Sequence, residues 1–238
     1  MRVNQVRLRA AAVLDPRGIA GSALGSVPWA PGCDPLAGRL EAPPGTLALP
    51  ARELRRLDLL TQALLLCAAA AGVEAALAPA ERRETALILA SREGCLEADL
   101  AFQASLAPGA APAPALFPWT LPSTCLGELA LRLRLMGPTL CLGAETAPEA
   151  GLALSEARAL LSAGEAEAAV VAFGGVLSRA GAAELGSSHA GAPAESRLQL
   201  GLVVLGRGSA PAIGPDPGDL QAAGDPWSLL RAAWEAAA

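Results

Sequence analysis

Three short apolar runs, Thr85 to Ala90, Thr139 to Ala144 and Ala168 to Phe173, recur along the chain, separated by helix-length segments that close on Gly or Gly-Pro. Runs of about six apolar residues suit strands buried on both faces and are too short for buried helices. Strands alternating with helices pack as layers, so the pattern predicts a layered α/β domain with a largely parallel or mixed sheet.

The punctuation supplies the rest of the predicted elements. Val3 to Leu14, whose start alternates imperfectly, and Leu198 to Leu205, which alternates well enough, read as strands, whereas the Gly- and Pro-rich stretch from Asp15 to Pro50 reads as an extended surface loop. Ala51 to Ala71 reads as one long helix closed by Gly72, and Cys95 to Leu106 as another. Pro108 to Pro118 reads as a loop. Ser123 to Met136 is a helix with Ser123 or Thr124 placed to cap it and Gly137-Pro138 to stop it. Pro148 suits the first turn of a helix ending at Gly164, and the strand Ala168 to Phe173 stops before Gly174-Gly175. Ala180 to Ser196 reads as loop and Pro211 to Asp225 as linker. Trp227 to Ala237 is a short amphipathic helix with Leu229, Leu230 and Trp234 on its docking face. The expected organisation is a domain over 1–210 followed by a linker and terminal helix over 211–238.

Composition narrows the chemistry. All 18 cationic residues are Arg, the formal net charge is −5, and no basic cluster is interleaved with aromatics, so nucleic acid is not an expected partner. The absence of Lys removes Walker-type phosphate loops and Schiff-base mechanisms. Five cysteines at irregular spacing, with no CxxC pair and only His189 beside them, point to free thiols in a reducing, cytoplasmic setting and to no metal centre. The N-terminus lacks the uninterrupted apolar region of a secretory signal. The longest apolar run, Leu59 to Val73, falls short of the roughly 20 residues that span a bilayer, and reads as a buried helix.

Four segments in order carry a family resemblance. They are Arg55-Arg-Leu-Asp58 running to Ala71-Gly-Val73, the strand Leu87 to Ala90 with Ser91 to Gly94, Leu121-Pro-Ser-Thr124 running to Gly137-Pro138, and Ala163-Gly-Glu165 running to Phe173-Gly-Gly175. Together they resemble the N-terminal half of the β-ketoacyl synthases, from about Val3 to Leu205. The resemblance implies a thiolase-like layered α/β/α half-domain with a mixed, mostly parallel sheet.

In catalytic members of that family, a Gly-Pro-led strand ends in a Thr-Ala-Cys motif whose thiol accepts an acyl group at a helix N-terminus. Here the strand runs from Gly137 to Ala144 and is followed by Glu145, Thr146 and Ala147. Counting forward from Gly137 puts the nucleophile position on Thr146, and counting back from Gly164 puts it on Ala147. Neither is a cysteine. The family's two catalytic histidines belong to its second half, and His189 lies in a Gly/Ser/Ala stretch unlike either of their motifs. The resemblance therefore implies an inactive subunit similar to the chain-length factors of type II polyketide and aryl-polyene systems, paired as a heterodimer with a full-length ketosynthase. It also implies that Thr139, Leu140, Cys141, Leu142, Gly143 and Ala144 form the strand at the dimer interface. No cofactor is implied.

Other readings stay beside this one. Cys141 or Cys125 could serve as a displaced nucleophile in an active acyltransferase or condensing enzyme, although Cys141, between two leucines, reads as a small buried hydrophobe and Cys125 as part of a packing helix. Glu145 reads either as a mimic of a malonyl carboxylate or as a first-turn acid favoured by the helix dipole. Ser187, Ser188 and His189 read as a solvated loop. Arg52, Arg55 and Arg56, or Arg132 and Arg134, could receive an acidic acyl carrier protein, or could be a solvated helix face. A scaffold homodimer unrelated to acyl chemistry is the third possibility.

Overall fold

The computed structural model describes residues 6–37, 40, 51–144, 148–188, 195–207 and 217–235. Glu145, Thr146, Ala147 and His189 lie outside them. Seven strands form one sheet: β1 (Val6–Asp15), β2 (Gly18–Gly21), β3 (Gly25–Pro28), β4 (Thr85–Ser91), β5 (Thr139–Gly143), β6 (Ala168–Leu177) and β7 (Arg197–Arg207), in the order β3-β2-β1-β7-β6-β4-β5. The helices are α1 (Ala51–Leu54), α2 (Leu59–Ala71), α3 (Val73–Ala76), α4 (Leu96–Ser105), α5 (Pro122–Leu133), α6 (Glu149–Ala163), α7 (Arg179–Ser188), α8 (Pro217–Ala222) and α9 (Pro226–Glu235).

The sheet has an apolar core on each face, which makes the predicted α/β/α layering. On one face α2, α4 and α5 bury Leu64, Leu66, Ala98, Leu126 and Leu129 against alternate residues of β4, β6 and β7. On the other, α6, α8 and α9 bury Ala153, Leu154, Leu220 and Leu230 against the intervening residues. β6 is buried along its whole length because both faces are covered, and that produces its unbroken apolar run.

The parallel character is less than predicted. β4 pairs in parallel with β5 and β6, but β1–β2, β2–β3, β1–β7 and β6–β7 are antiparallel. Short turns joining β1, β2 and β3 impose this on one edge, and β7 returns antiparallel beside β6 after α7. The predicted loop from Asp15 to Pro50 thus holds two strands. Their turn is set by the Asp15 carboxylate, which accepts from the Arg17 N–H at 2.8 Å, while Trp29 Nε1 donates to the Asp15 carbonyl at 2.9 Å.

Other boundaries also move. The helix expected from Ala51 to Ala71 breaks before Asp58, which caps α2 by accepting from the N–H groups of Leu60 and Thr61; Gly72 closes it at φ 70°. α2 is buried almost all round, as its apolar composition predicts. α5 begins with Pro122 in its first turn and makes no side-chain cap through Ser123 or Thr124. It ends at Arg134, whose φ is 57°, short of Met136. Pro148 stands one position before α6. A 3-10 turn, Pro114–Thr120, lies within and just past the predicted Pro/Ala loop. α7 occupies the start of the predicted loop over 180–196, so Ser187 and Ser188 are helical, and α8 occupies part of the predicted linker. α9 is present, with Leu230 fully buried; the Trp234 side chain lies outside the described residues.

Candidate functional site

Topology singles out one place. The chain leaves β4 toward α4 and α5 on one face of the sheet and leaves the adjacent parallel strand β5 toward α6 on the other. Connections that diverge from neighbouring strands open a crevice at the strands' carboxyl ends, where open α/β sheets bind ligands. A cleft of about 270 Å³ lies there, lined by Ser91, Arg92, Asp99, Cys141 and Gly143 among others. The position after β5, where Glu145, Thr146 and Ala147 stand, adjoins it in sequence.

The turn leaving β4 is locally determined. Ser91 Oγ accepts from the Gly94 N–H at 2.9 Å, and the Ser91 carbonyl accepts from the Ala144 N–H at 3.3 Å, tying the end of β5 to β4. Arg92 is exposed and has no ion-pair partner among the described residues. Burial raises the Asp99 carboxyl above its ordinary value.

Of the two cysteines weighed as nucleophiles, Cys141 lines this cleft and Cys125 lies buried behind it against Cys95. Cys141 is exposed, contrary to the buried setting predicted for it, because β5 is the last strand of the sheet and only Leu140 and Leu142 turn toward a core. Its thiol nevertheless lines the cleft near Cys95; burial and then Cys95 push its pKa up to about 11. Cys125 is fully buried in α5, as predicted for a packing residue, and its Sγ donates to the Pro122 carbonyl at 2.8 Å. Its hydrogen bond with Cys95, together with burial, raises the thiol pKa strongly. A nucleophilic thiol needs the opposite shift. No group of side chains suited to hold a metal occurs among the described residues.

Beside the cleft is a charge cluster absent from the sequence reading. Arg197, the first residue of β7, donates through Nη1 to Glu93 Oε1 and Oε2 at 3.0 and 2.9 Å and to Glu149 Oε1 at 2.6 Å. Glu93 follows β4 and Glu149 opens α6, so residues 104 and 48 positions from Arg197 meet at one guanidinium. Burial works against the Arg197 charge, but the hydrogen bonds and charges of Glu149 and Glu93 outweigh it and raise the Arg197 pKa. No local motif marks these residues. The one sequence clue was Gly174-Gly175, read as a strand end; β6 runs through it, and a Cβ at Gly175 would collide with the Glu93 carboxylate.

No family model and no curated protein sequence matches this chain. Solved structures do match it. The ishigamide ketosynthase/chain length factor superposes with a TM-score of 0.59 at 21% identity, over 87% of this chain and 63% of that one. The ketosynthase ApeO in complex with its chain length factor ApeC from Xenorhabdus doucetiae gives 0.59 at 16% identity, over 88% of this chain and 81% of that one. This chain has the thiolase-like ketosynthase fold. A type II polyketide acyl-carrier protein complexed with its ketosynthase bound to the hexaketide matches with a TM-score of 0.56 at 14% identity, over 86% and 63% of the two chains. The chain therefore spans somewhat under two thirds of the first and third of these relatives. Among the described residues no helix is long and apolar enough to cross a membrane.

Proposed function

We propose that this chain is a non-catalytic ketosynthase-like subunit of the chain-length-factor type, which pairs with a full-length ketosynthase in polyketide, aryl-polyene or fatty-acid-type biosynthesis. One observation carries the reading: within a ketosynthase fold, β5 stands at the sheet edge bonded to β4 alone among the described strands, and the residues after it, Glu145-Thr-Ala147, include no cysteine. An unpaired strand edge is a template for pairing with another chain. Residues Thr139 to Ala144 then form the interface with the partner, and condensation proceeds on the partner's own nucleophile. Glu145, Thr146 and Ala147 replace the nucleophile without its chemistry.

The raised thiols of Cys125 and Cys141 weigh against an acyl-enzyme on this chain. A carrier protein is a second partner in this reading. Arg52, Arg55 and Arg56 are exposed and have no ion-pair partner among the described residues, which leaves them available to an acidic surface. The working compartment is the cytoplasm, where Cys67, Cys95, Cys125 and Cys141 stay reduced.

The test is affinity purification of the tagged chain from its native host, with mass spectrometry of what accompanies it. A full-length ketosynthase at equal stoichiometry is the expected outcome. Recovery of the chain alone, gaining acyl mass from a thioester at a cysteine, would overturn the reading in favour of an enzyme.

A further inference from the structure

The Glu93–Arg197–Glu149 cluster differs from the surface ion pairs elsewhere on the molecule. Its side chains are only 13%, 20% and 8% exposed, and one guanidinium serves two carboxylates. Exposed pairs contribute little because water screens them, whereas sheltered carboxylates that lose their cation are left repelling one another. The site is also built to receive the cluster, since glycine at 175 leaves the room that the Glu93 carboxylate fills.

What the cluster joins gives it a role. Glu93 belongs to the turn leaving β4, the strand that β5 pairs with; Glu149 is the first residue of the helix after β5; and Arg197 sits two strands away from β4, across β6. The backbone bond from the Ala144 N–H to the Ser91 carbonyl completes the connection between the ends of β4 and β5. β5 itself has only five residues and one described neighbour. Its own ladder is thus a weak restraint, and fixed points before and after it matter more.

We propose that Arg197 is a positioning residue: by pinning the turn after β4 and the first turn of α6 to β7, it holds the carboxyl end of β5 in place and presents that edge ready for strand pairing. The pinning is independent of any partner; the presentation of the edge to a ketosynthase rests on the function proposed above.

Hydrogen exchange on the purified full-length chain, combined with the same native-host purification, tests both parts. Arg197→Met leaves Glu93 and Glu149 unneutralised. Arg197→Met/Glu149→Gln removes their repulsion as well, and so remains informative if the single variant fails to fold. Amide exchange in β5, the turn after β4 and the first turn of α6 is expected to rise at least about tenfold in Arg197→Met and by a smaller factor in the double variant, while β1 and β2 keep wild-type rates. Ketosynthase recovery is expected to fall with it. Unchanged exchange would show that Arg197 restrains nothing, and an increase spread evenly over the sheet would show a merely global contribution to stability; either would overturn the pinning. A local increase with undiminished recovery would overturn the presentation of the edge. If wild type itself recovers no ketosynthase, the proposed function fails, and the exchange pattern still decides the pinning.

Discussion

Asp58 shows how one residue can organise a helix and be strained by its own position. Its carboxylate accepts from the Leu60 and Thr61 N–H groups at 3.0 and 3.2 Å and from the Thr61 hydroxyl, which starts α2. Burial raises its pKa nonetheless, outweighing those hydrogen bonds. With the folded value above the unfolded one, the folded chain holds the extra proton in the interval that starts near 3.8 and ends at the raised value, so this group makes stability fall as pH rises through that interval. Asp58→Asn keeps an acceptor for the cap and removes the titration. Its denaturant midpoint should lose that part of the pH dependence, and an unaltered slope would contradict the assignment. The cysteines show how far such detail is legible in sequence. Cys125 sits within a helix of packing residues and is buried as read, but alternation along β5 could not say which of its faces a neighbour covers, and Cys141 proved exposed.

At the scale of elements, the passage from α5 into β5 depends on backbone contact. Gly137 lies against β4 so closely that a Cβ there would collide with the Thr85 carbonyl, and the next strand enters the sheet in register with Leu87 opposite Thr139. Gly137→Ala is expected to cost about 3 kcal/mol, measured by urea unfolding, because the obstructing atoms are main chain and cannot rotate away. A cost below about 1 kcal/mol would mean that the junction is plastic. The Gly-Pro stop was visible in the sequence; the reason for glycine was not, since it lies in a strand more than forty residues away. α2 was legible as a buried helix from its composition alone. The β1–β3 meander was not, because glycines and prolines signal loops while the hydrogen bonds that make those strands are formed only with neighbours.

For the whole molecule, α9 closes the second face by a buried ion pair. Arg231 Nε donates to Asp15 Oδ2 at 2.8 Å and its Nη2 to the Gly18 carbonyl at 3.1 Å, with both side chains more than nine-tenths buried. Trp227 packs against Phe173 of β6 in a tilted arrangement, with ring centroids 5.1 Å apart and ring planes at 39°. Arg231→Met should cost about 2–3 kcal/mol in urea unfolding, somewhat under the usual cost of breaking a buried pair, because Arg17 also binds Asp15 at 2.9 Å. A neutral result would mean that this ion pair adds little to the fold beyond the apolar contacts of α9. The amphipathic helix itself was predicted, but not that its arginine would reach the first hairpin of the chain. Sequence alone determined the alternation of the main strands and helices, though not β2, β3, α7 or α8, together with most of the ends of those it found, the layered class and the lack of a cysteine in Glu145-Thr-Ala147, because periodicity, caps and composition act over a few residues. Only the tertiary structure decided that most strand pairs are antiparallel, that β5 lies at the edge, and that Arg197 gathers Glu93 and Glu149, because these relations join residues far apart in the chain and are chosen by packing rather than by any local preference.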